Sequence, residues 1–171
     1  DTGMRCTLSR GIIGPKFSDT VKRLQENVEL FQKWHGYDDD RIKVMLGPHA
    51  PYTCPPDSVK EIMKAAQKLH CGIHIHLAET AGEISDCRKQ YGYTAIGLMN
   101  SIGLFELPTV AAHCVHVSPE DIAILADKHV SVVHCPQSNL KLASGIAPIA
   151  DMLKSNVNVA LGTDGAASNN N

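Results

Sequence analysis

The sequence has no long hydrophobic run, no block of basic residues and no large excess of charge of either sign. None of its apolar segments approaches the ~18 residues that a membrane-spanning helix needs. Its first residues, Asp-Thr-Gly, have neither the charged start nor the apolar segment of a secretory leader. With 16 basic and 18 acidic residues the net charge is -2, which argues against binding to nucleic-acid phosphates. We therefore expect a cytoplasmic protein whose partners are small molecules, and neither nucleic acids nor membranes.

Disulfide and nucleotide-binding signatures are absent as well. The 6 cysteines include no C-x-x-C pair, and a chain of this length can bury a core without covalent links, so we predict free thiols. Neither G-x-G-x-x-G nor G-x-x-x-x-G-K-[ST] occurs. The composition, 43% hydrophobic and 20% charged, is that of a globular domain.

Short apolar segments recur along the chain and are predicted as strands. The six segments are 4–8, 42–46, 73–77, 110–113, 130–134 and 157–161. Helix-start signals precede three amphipathic stretches, which are 20–35, 58–69 and 121–128. Alternating strands and helices, with several strands apolar at nearly every residue, indicate a parallel sheet covered by helices. The predicted fold class is therefore α/β.

Two α/β architectures are compatible with this alternation. A doubly wound sheet usually has a glycine-rich phosphate turn after an early strand, and none is present. A (β/α)8 TIM-type barrel collects polar residues at the C-terminal ends of its strands. Such residues lie at or just beyond the ends of the predicted strands here, namely Arg10, His49, His76, His113, His134 and Asp164. This pattern favours the barrel.

The predicted barrel is incomplete. A closed barrel needs eight strands and typically about 250 residues, whereas this chain has 171 residues and about six βα units. We therefore expect residues 1–171 to form a single but partial catalytic barrel domain, with the first strands and the C-terminal part outside the chain. An open barrel leaves two sheet edges unpaired, and association of copies into a homo-oligomer is one way to cover them.

The run IHIHLAET carries the strongest local signal of chemistry. On a strand, His74 and His76 face the same side, and Glu79 lies just beyond the C-terminal end. His113 ends another predicted strand, and Asp164 follows a third. Imidazole and carboxylate groups are the usual ligands of a catalytic zinc ion, and a carboxylic acid nearby can carry protons. These residues therefore predict a hydrolytic metal site.

Several of these residues also have structural interpretations. His74 fits a packing residue of the barrel interior. Asp164, which lies between glycines, fits a turn residue that hydrogen-bonds its own backbone. We interpret His134 as structural, orienting a loop at 135–140, and His116 as a solvated loop residue.

Four runs resemble the amidohydrolase superfamily: IHIHLAET, AAHCVHV, VHCPQSNLKLASGIAP and GTDGAASNN, in that order. Within it they are most similar to the 5-methylthioadenosine/S-adenosylhomocysteine deaminases. The resemblance implies a metallo-dependent hydrolase fold of which the chain covers strands three to eight. It implies an aminohydrolase that uses one Zn²⁺ or Fe²⁺ ion per subunit and converts 5'-methylthioadenosine or S-adenosylhomocysteine into the inosine analogue and ammonia. Alternatives are another amidohydrolase, acting on a triazine or another nucleobase, and an inactive fragment without metal.

The resemblance also implies roles for the residues near the metal. His76 and Asp164 match metal ligands, and His113 matches a histidine that lies beside the metal-held water or binds a second ion. Glu79 matches a glutamate that binds the purine and shuttles protons. Glu79, His113 and Asp164 are thus the predicted catalytic residues, and Glu79 and Asp164 are also predicted to contact the substrate.

Further substrate contacts are implied in the N-terminal half of the chain. Arg10 and Arg23 match arginines that hold the amino-acid carboxylate of S-adenosylhomocysteine, and a guanidinium fork suits a carboxylate. His49 matches a substrate-binding histidine. The His-x-His metal motif of the family's first strand is not in this chain. We expect it upstream, so the chain alone should bind metal weakly.

Overall fold

The structure is a computed structural model, and it describes residues 3–14 and 16–169. Contacts divide the chain into two compact units, Asp1–His74 and Ile75–Asn171. Among the described residues, no helix has both the length and the apolar character that a membrane span requires.

The first unit is built from paired parallel strands and helices. Its elements are β1 (Cys6–Leu8), β2 (Gly11–Ile12), α1 (Phe17–Trp34), α2 (Tyr37–Asp40), β3 (Ile42–Val44), β4 (Gly47–Pro48) and α3 (Pro56–Leu69). Strand β1 pairs with β3 and β2 pairs with β4, both in parallel. Helix α3 begins at a proline, whose missing N–H is not needed in a first turn. The helix buries Val59, Ile62 and Ala66 completely, together with Ile12 and Leu46 from the strand regions.

The second unit is built around parallel strands. Its elements after β5 (Ile73–Leu77) are α4 (Ala81–Tyr91), α5 (Ala95–Ser101), a 3-10 turn (Leu104–Glu106), β6 (Thr109–His113), α6 (Pro119–Asp127), β7 (Ser131–His134), α7 (Pro136–Lys141), α8 (Ile149–Lys154) and β8 (Asn158–Leu161). The strand order is β5-β6-β7-β8. Strand β7 pairs in parallel with both β6 and β8, with Val132 opposite Ala111 and Val159. Alternating inward residues such as Ile75 and Val132 are fully buried.

The structure contains strands at all six predicted positions and confirms the α/β class with parallel pairing. It adds two strands of only two residues, β2 and β4. The predicted loop at 135–140 is wrong, because residues Pro136–Lys141 form helix α7. Proline at its first position favours a helix start, but six residues are too few to show a helical period. All 6 cysteines are free thiols, as predicted.

Candidate active site

Three metal-ligand side chains meet at the C-terminal ends of strands in the second unit. His76 lies in β5, His113 ends β6, and Asp164 follows β8. One potential ligand atom from each lies within 4.8 Å of those of the other two, and we call these residues the ligand triad. The rings of His76 and His113 are stacked with centroids 5.4 Å apart. Two imidazoles and one carboxylate form a donor set that suits zinc, so the residues fit a metal ion.

Glu79 lies beside this group, in the loop after β5. Its Oε2 atom is 3.8 Å from Nε2 of His113, and the side chains are 16% and 2% exposed respectively. The loop is fixed by Glu83, whose carboxylate accepts hydrogen bonds from the N–H groups of Ala78 and Glu79 at 3.0 and 2.9 Å. Burial raises the pKa of Glu83, although these hydrogen bonds oppose the shift.

The second ring nitrogen of His113, Nδ1, contacts a buried amide. Nδ1 lies 2.8 Å from Oδ1 of Asn139, and both residues are buried. Because this contact occupies Nδ1, Nε2 is the nitrogen directed toward Glu79. His113 also has a φ of 73°, in the left-handed region that bulky residues rarely occupy, and such backbone strain clusters at functional sites.

Asp164 is held at both carboxylate oxygens. Oδ2 accepts from the Ser138 hydroxyl at 2.6 Å, and Oδ1 accepts from the N–H of Gly165 at 2.6 Å. Partial burial tends to raise the pKa of Asp164, but these two hydrogen bonds, with the nearby His113 and His76, outweigh it and lower the pKa. The contact with Gly165 is the local backbone hydrogen bond expected of a turn residue. Asp164 therefore combines a turn geometry with a place in the ligand triad.

The remaining predicted substrate residues lie in the first unit. Arg10 and Arg23 line the same cavity of ≈ 430 Å³, and Glu26 is part of its wall. The Arg10 guanidinium is paired with the Glu26 carboxylate, at 2.9 Å from Nε and 2.6 Å from the nearest terminal nitrogen. Nδ1 of His49 lies 2.9 Å from the Thr53 hydroxyl.

Three further histidines are half-buried. The His74 backbone N–H donates to Leu46, and the side chain is half-buried. His134 is half-buried too, and burial lowers its pKa. His116 is half-buried, with Nε2 2.7 Å from the Ser144 carbonyl oxygen. His116 thus lies in a loop as predicted, but it is half-buried against Ser144 and not fully solvated.

Sequence reasoning missed the residues that hold this site, namely Glu83, Ser138 and Asn139. For Glu83 a signal exists: Thr80 and Glu83 have the spacing of a helix-start capping pair, and the Thr80 side chain accepts from the Glu83 N–H. Ser138 and Asn139 each contact a residue that is 26 positions away in sequence. No local sequence pattern predicts such contacts.

The chain is similar to known proteins in both sequence and structure. A model of the amidohydrolase family matches residues 1–171. Over 172 residues the chain is 53% identical to a 5-methylthioadenosine/S-adenosylhomocysteine deaminase of Moorella thermoacetica, covering 100% of this chain and 40% of that protein. An adenosine deaminase structure from Xanthomonas campestris with bound zinc is 35% identical at a TM-score of 0.86, covering 99% of this chain and 39% of that one.

A zinc complex of an atrazine chlorohydrolase from Arthrobacter aurescens also has a TM-score of 0.86, covering 98% of this chain and 39% of that one. At 23% identity this likeness shows the fold alone. The chain spans about 40% of the length of the curated relatives that it matches.

Proposed function

Because the chain belongs to the amidohydrolase family, we propose that it is part of a metal-dependent aminohydrolase acting on 5'-methylthioadenosine and S-adenosylhomocysteine. The observation that carries this proposal is the ligand triad with the Glu79 carboxylate beside it. The 53% identity to a deaminase of that name supports the substrate class. We also propose that residues 1–171 belong to one catalytic barrel domain.

The proposed metal site uses His76 and Asp164 as ligands, with His113 as a third ligand or as a close neighbour. Zinc is the proposed ion, one per subunit, with Fe²⁺ as the alternative. The bound zinc named for the similar adenosine deaminase supports this choice. A zinc ion supplies Lewis acidity, which makes water nucleophilic near neutral pH.

The chain's own residues move the protons of the proposed reaction. Asp164, which its hydrogen bonds keep ionised, accepts one proton from the water whose oxygen bonds to C6 of the adenine ring. Glu79 protonates the adjacent ring nitrogen. Asp164 then passes its proton to the amino group, and the C6–N bond breaks to release ammonia. The hydroxyl on C6 returns a proton to Glu79, which leaves a carbonyl and completes the balance.

The proposed anchor for the substrate carboxylate is the cavity lined by Arg10 and Arg23. Its two guanidinium groups suit a carboxylate that S-adenosylhomocysteine has and 5'-methylthioadenosine lacks. His49 is the remaining proposed substrate contact. The proposed partner is thus a small nucleoside.

A chimera tests the function, because the chain covers 40% of its Moorella relative. The chain replaces the matching segment of that deaminase, and zinc content and ammonia release are measured with both nucleosides. The same measurements are made on the chain alone. We expect the chimera to hold about one zinc ion per chain and to release ammonia, and its Glu79→Gln variant to keep the zinc and lose the activity.

The other outcomes are distinct. A chimera that binds zinc without releasing ammonia would contradict the substrate and favour another heterocycle. A chimera that binds no zinc would contradict the metal site itself. Full ammonia release by the Glu79→Gln variant would remove Glu79 from the proton transfer.

A further inference from the structure

Helix α7 places two consecutive buried polar side chains against two members of the ligand triad. Ser138 and Asn139 both have 0% of their surface exposed. The Ser138 hydroxyl donates to Asp164 Oδ2 at 2.6 Å, and Asn139 Oδ1 lies 2.8 Å from His113 Nδ1. Neighbouring residues of one short helix thus contact side chains that come from different strands.

The sheet order explains how six residues can reach both side chains. Strand β7 lies between β6 and β8, and α7 begins two residues after β7 ends. A helix at the C-terminal end of the middle strand lies next to the ends of both neighbouring strands. His113 ends β6, and Asp164 follows β8.

The Asn139 amide is an expensive group to bury. In the described part of the chain its Nδ2 atom is buried and has no hydrogen-bond partner. A buried donor without a partner loses its hydrogen bonds to water and gains none in return, so an apolar side chain of similar size would be better for stability alone. The contact with His113 is the feature that an apolar residue could not reproduce.

We propose that Asn139 and Ser138 are positioning residues that set the chemical state and direction of His113 and Asp164. The Asn139 carbonyl oxygen cannot donate, so it requires a hydrogen on Nδ1. Neutral His113 therefore keeps the lone pair of Nε2 directed toward Glu79 and the rest of the site. The Ser138 hydroxyl fixes the rotation of the Asp164 carboxylate. The inference rests on the proposed function only in taking the ligand triad as the metal site.

Nitrogen NMR of the histidine rings tests the tautomer without any activity measurement. The zinc-free chimera is labelled with ¹⁵N-histidine and studied at pH 8, above the ordinary pKa of histidine. His113→Gln identifies the His113 signals. We expect the Nδ1–H tautomer in the parent chimera. We expect a loss of this preference in Asn139→Ala, and its retention in Asn139→Asp, which keeps an acceptor oxygen.

Zinc affinity provides the second readout. Removal of a group that orients a ligand typically weakens metal binding 10- to 100-fold, so we expect a weakening of about that size in Asn139→Ala and Ser138→Ala. Ser138→Ala should leave the His113 ring signals unchanged, which separates the two roles. Asn158→Ala is the matched control, because the exposed Asn158 amide donates to the hydroxyl of half-buried Ser131 and its loss should affect neither readout.

Three results would overturn the inference. They are an Nε2–H tautomer of His113 in the parent chimera, unchanged ring signals in Asn139→Ala, or a lost tautomer in Asn139→Asp. If Asn139→Ala does not fold, the His113 tautomer measured in the parent chimera and in Asn139→Asp still tests the inference. A chimera that lacks activity toward the nucleosides would contradict the proposed function and leave the tautomer result valid.

Discussion

Glu83 holds the backbone of Glu79 in place: its Oε2 atom accepts the Glu79 N–H at 2.9 Å, and its Oε1 atom accepts the N–H of Ala78 at 3.0 Å. Ala78 has a φ of 54°, which a residue with a side chain adopts at a cost. The buried carboxylate therefore stabilises a strained turn, and this turn directs Glu79 toward His113. The position of the predicted proton carrier depends on a residue four positions further along the chain.

The first prediction concerns how Glu83 changes stability with pH. Burial raises the pKa of Glu83 above its ordinary value of 4.5, so the folded state favours the protonated form. Its contribution to the free energy of unfolding is greatest below pH 4.5 and falls as the pH rises through the folded-state pKa. We expect the stability of the parent relative to Glu83→Gln to fall between pH 4 and 7 in urea denaturation.

Glu120 provides a control of opposite sign. A backbone hydrogen bond and the Ser118 hydroxyl lower the pKa of Glu120 at the start of α6. Its contribution is present above the ordinary pKa and is lost on acidification. The stability of the parent relative to Glu120→Gln should therefore rise with pH, and slopes of the same sign for the two variants would contradict one of the two assignments.

The second prediction concerns the pair between Arg10 and Glu26, and it depends on the proposed substrate. The Glu26 carboxylate forms an ion pair with the Arg10 guanidinium and would compete with a substrate carboxylate for that group. In the chimera, Glu26→Gln should lower KM for S-adenosylhomocysteine severalfold and leave KM for 5'-methylthioadenosine unchanged. Arg23→Gln should raise KM for S-adenosylhomocysteine alone. An equal change for both nucleosides would contradict a carboxylate anchor at this cavity.

Much of the fold could be predicted because the main strands are apolar and because helices α3 and α6 begin at prolines. Helix α6 begins at Ser118 and Pro119 with a capping box, a pattern that is visible in the sequence. The family match to residues 1–171 and the TM-score of 0.86 to a related deaminase confirm the predicted family and its fold. The roles of the site residues stay predictions, although the structure does bring His76, His113 and Asp164 together.

The rest could not be predicted, for reasons of length and distance. Strands β2 and β4 have two residues each, which is too short for an alternating pattern. Helices α7 and α8 have six residues each and show no helical period. The contacts of Ser138 and Asn139 arise only when β7 is placed between β6 and β8, and strand order is not encoded in any local segment.

The third prediction concerns thiol reactivity. Cys6 is half-buried and the other cysteines are buried. Burial and the nearby Glu83 raise the pKa of Cys87 to about 11, so only about one in a thousand of its thiols is ionised at pH 8. We expect one fast reaction with a disulfide reagent in the native chain at pH 8, and its loss in Cys6→Ser. Several fast thiols in the native chain would contradict the burial of the other cysteines.

The fourth prediction concerns the close approach of β8 to β7. A Cβ atom on Gly162 would lie 2.6 Å from Val133 Cγ1 and 3.1 Å from Cys135 Sγ, and the branched valine cannot easily rotate away. Gly162→Ala should therefore destabilise the chain by about 1–3 kcal/mol and displace Asp164, two residues further on. Gly165 has nothing within 4 Å of such a Cβ, so Gly165→Ala should change stability by less than about 0.5 kcal/mol. Urea denaturation gives the free energy of unfolding of both variants. Equal values would mean that the backbone at Gly162 shifts to accept the methyl group. The geometry of Asp164 would then not depend on the packing of β8 against β7.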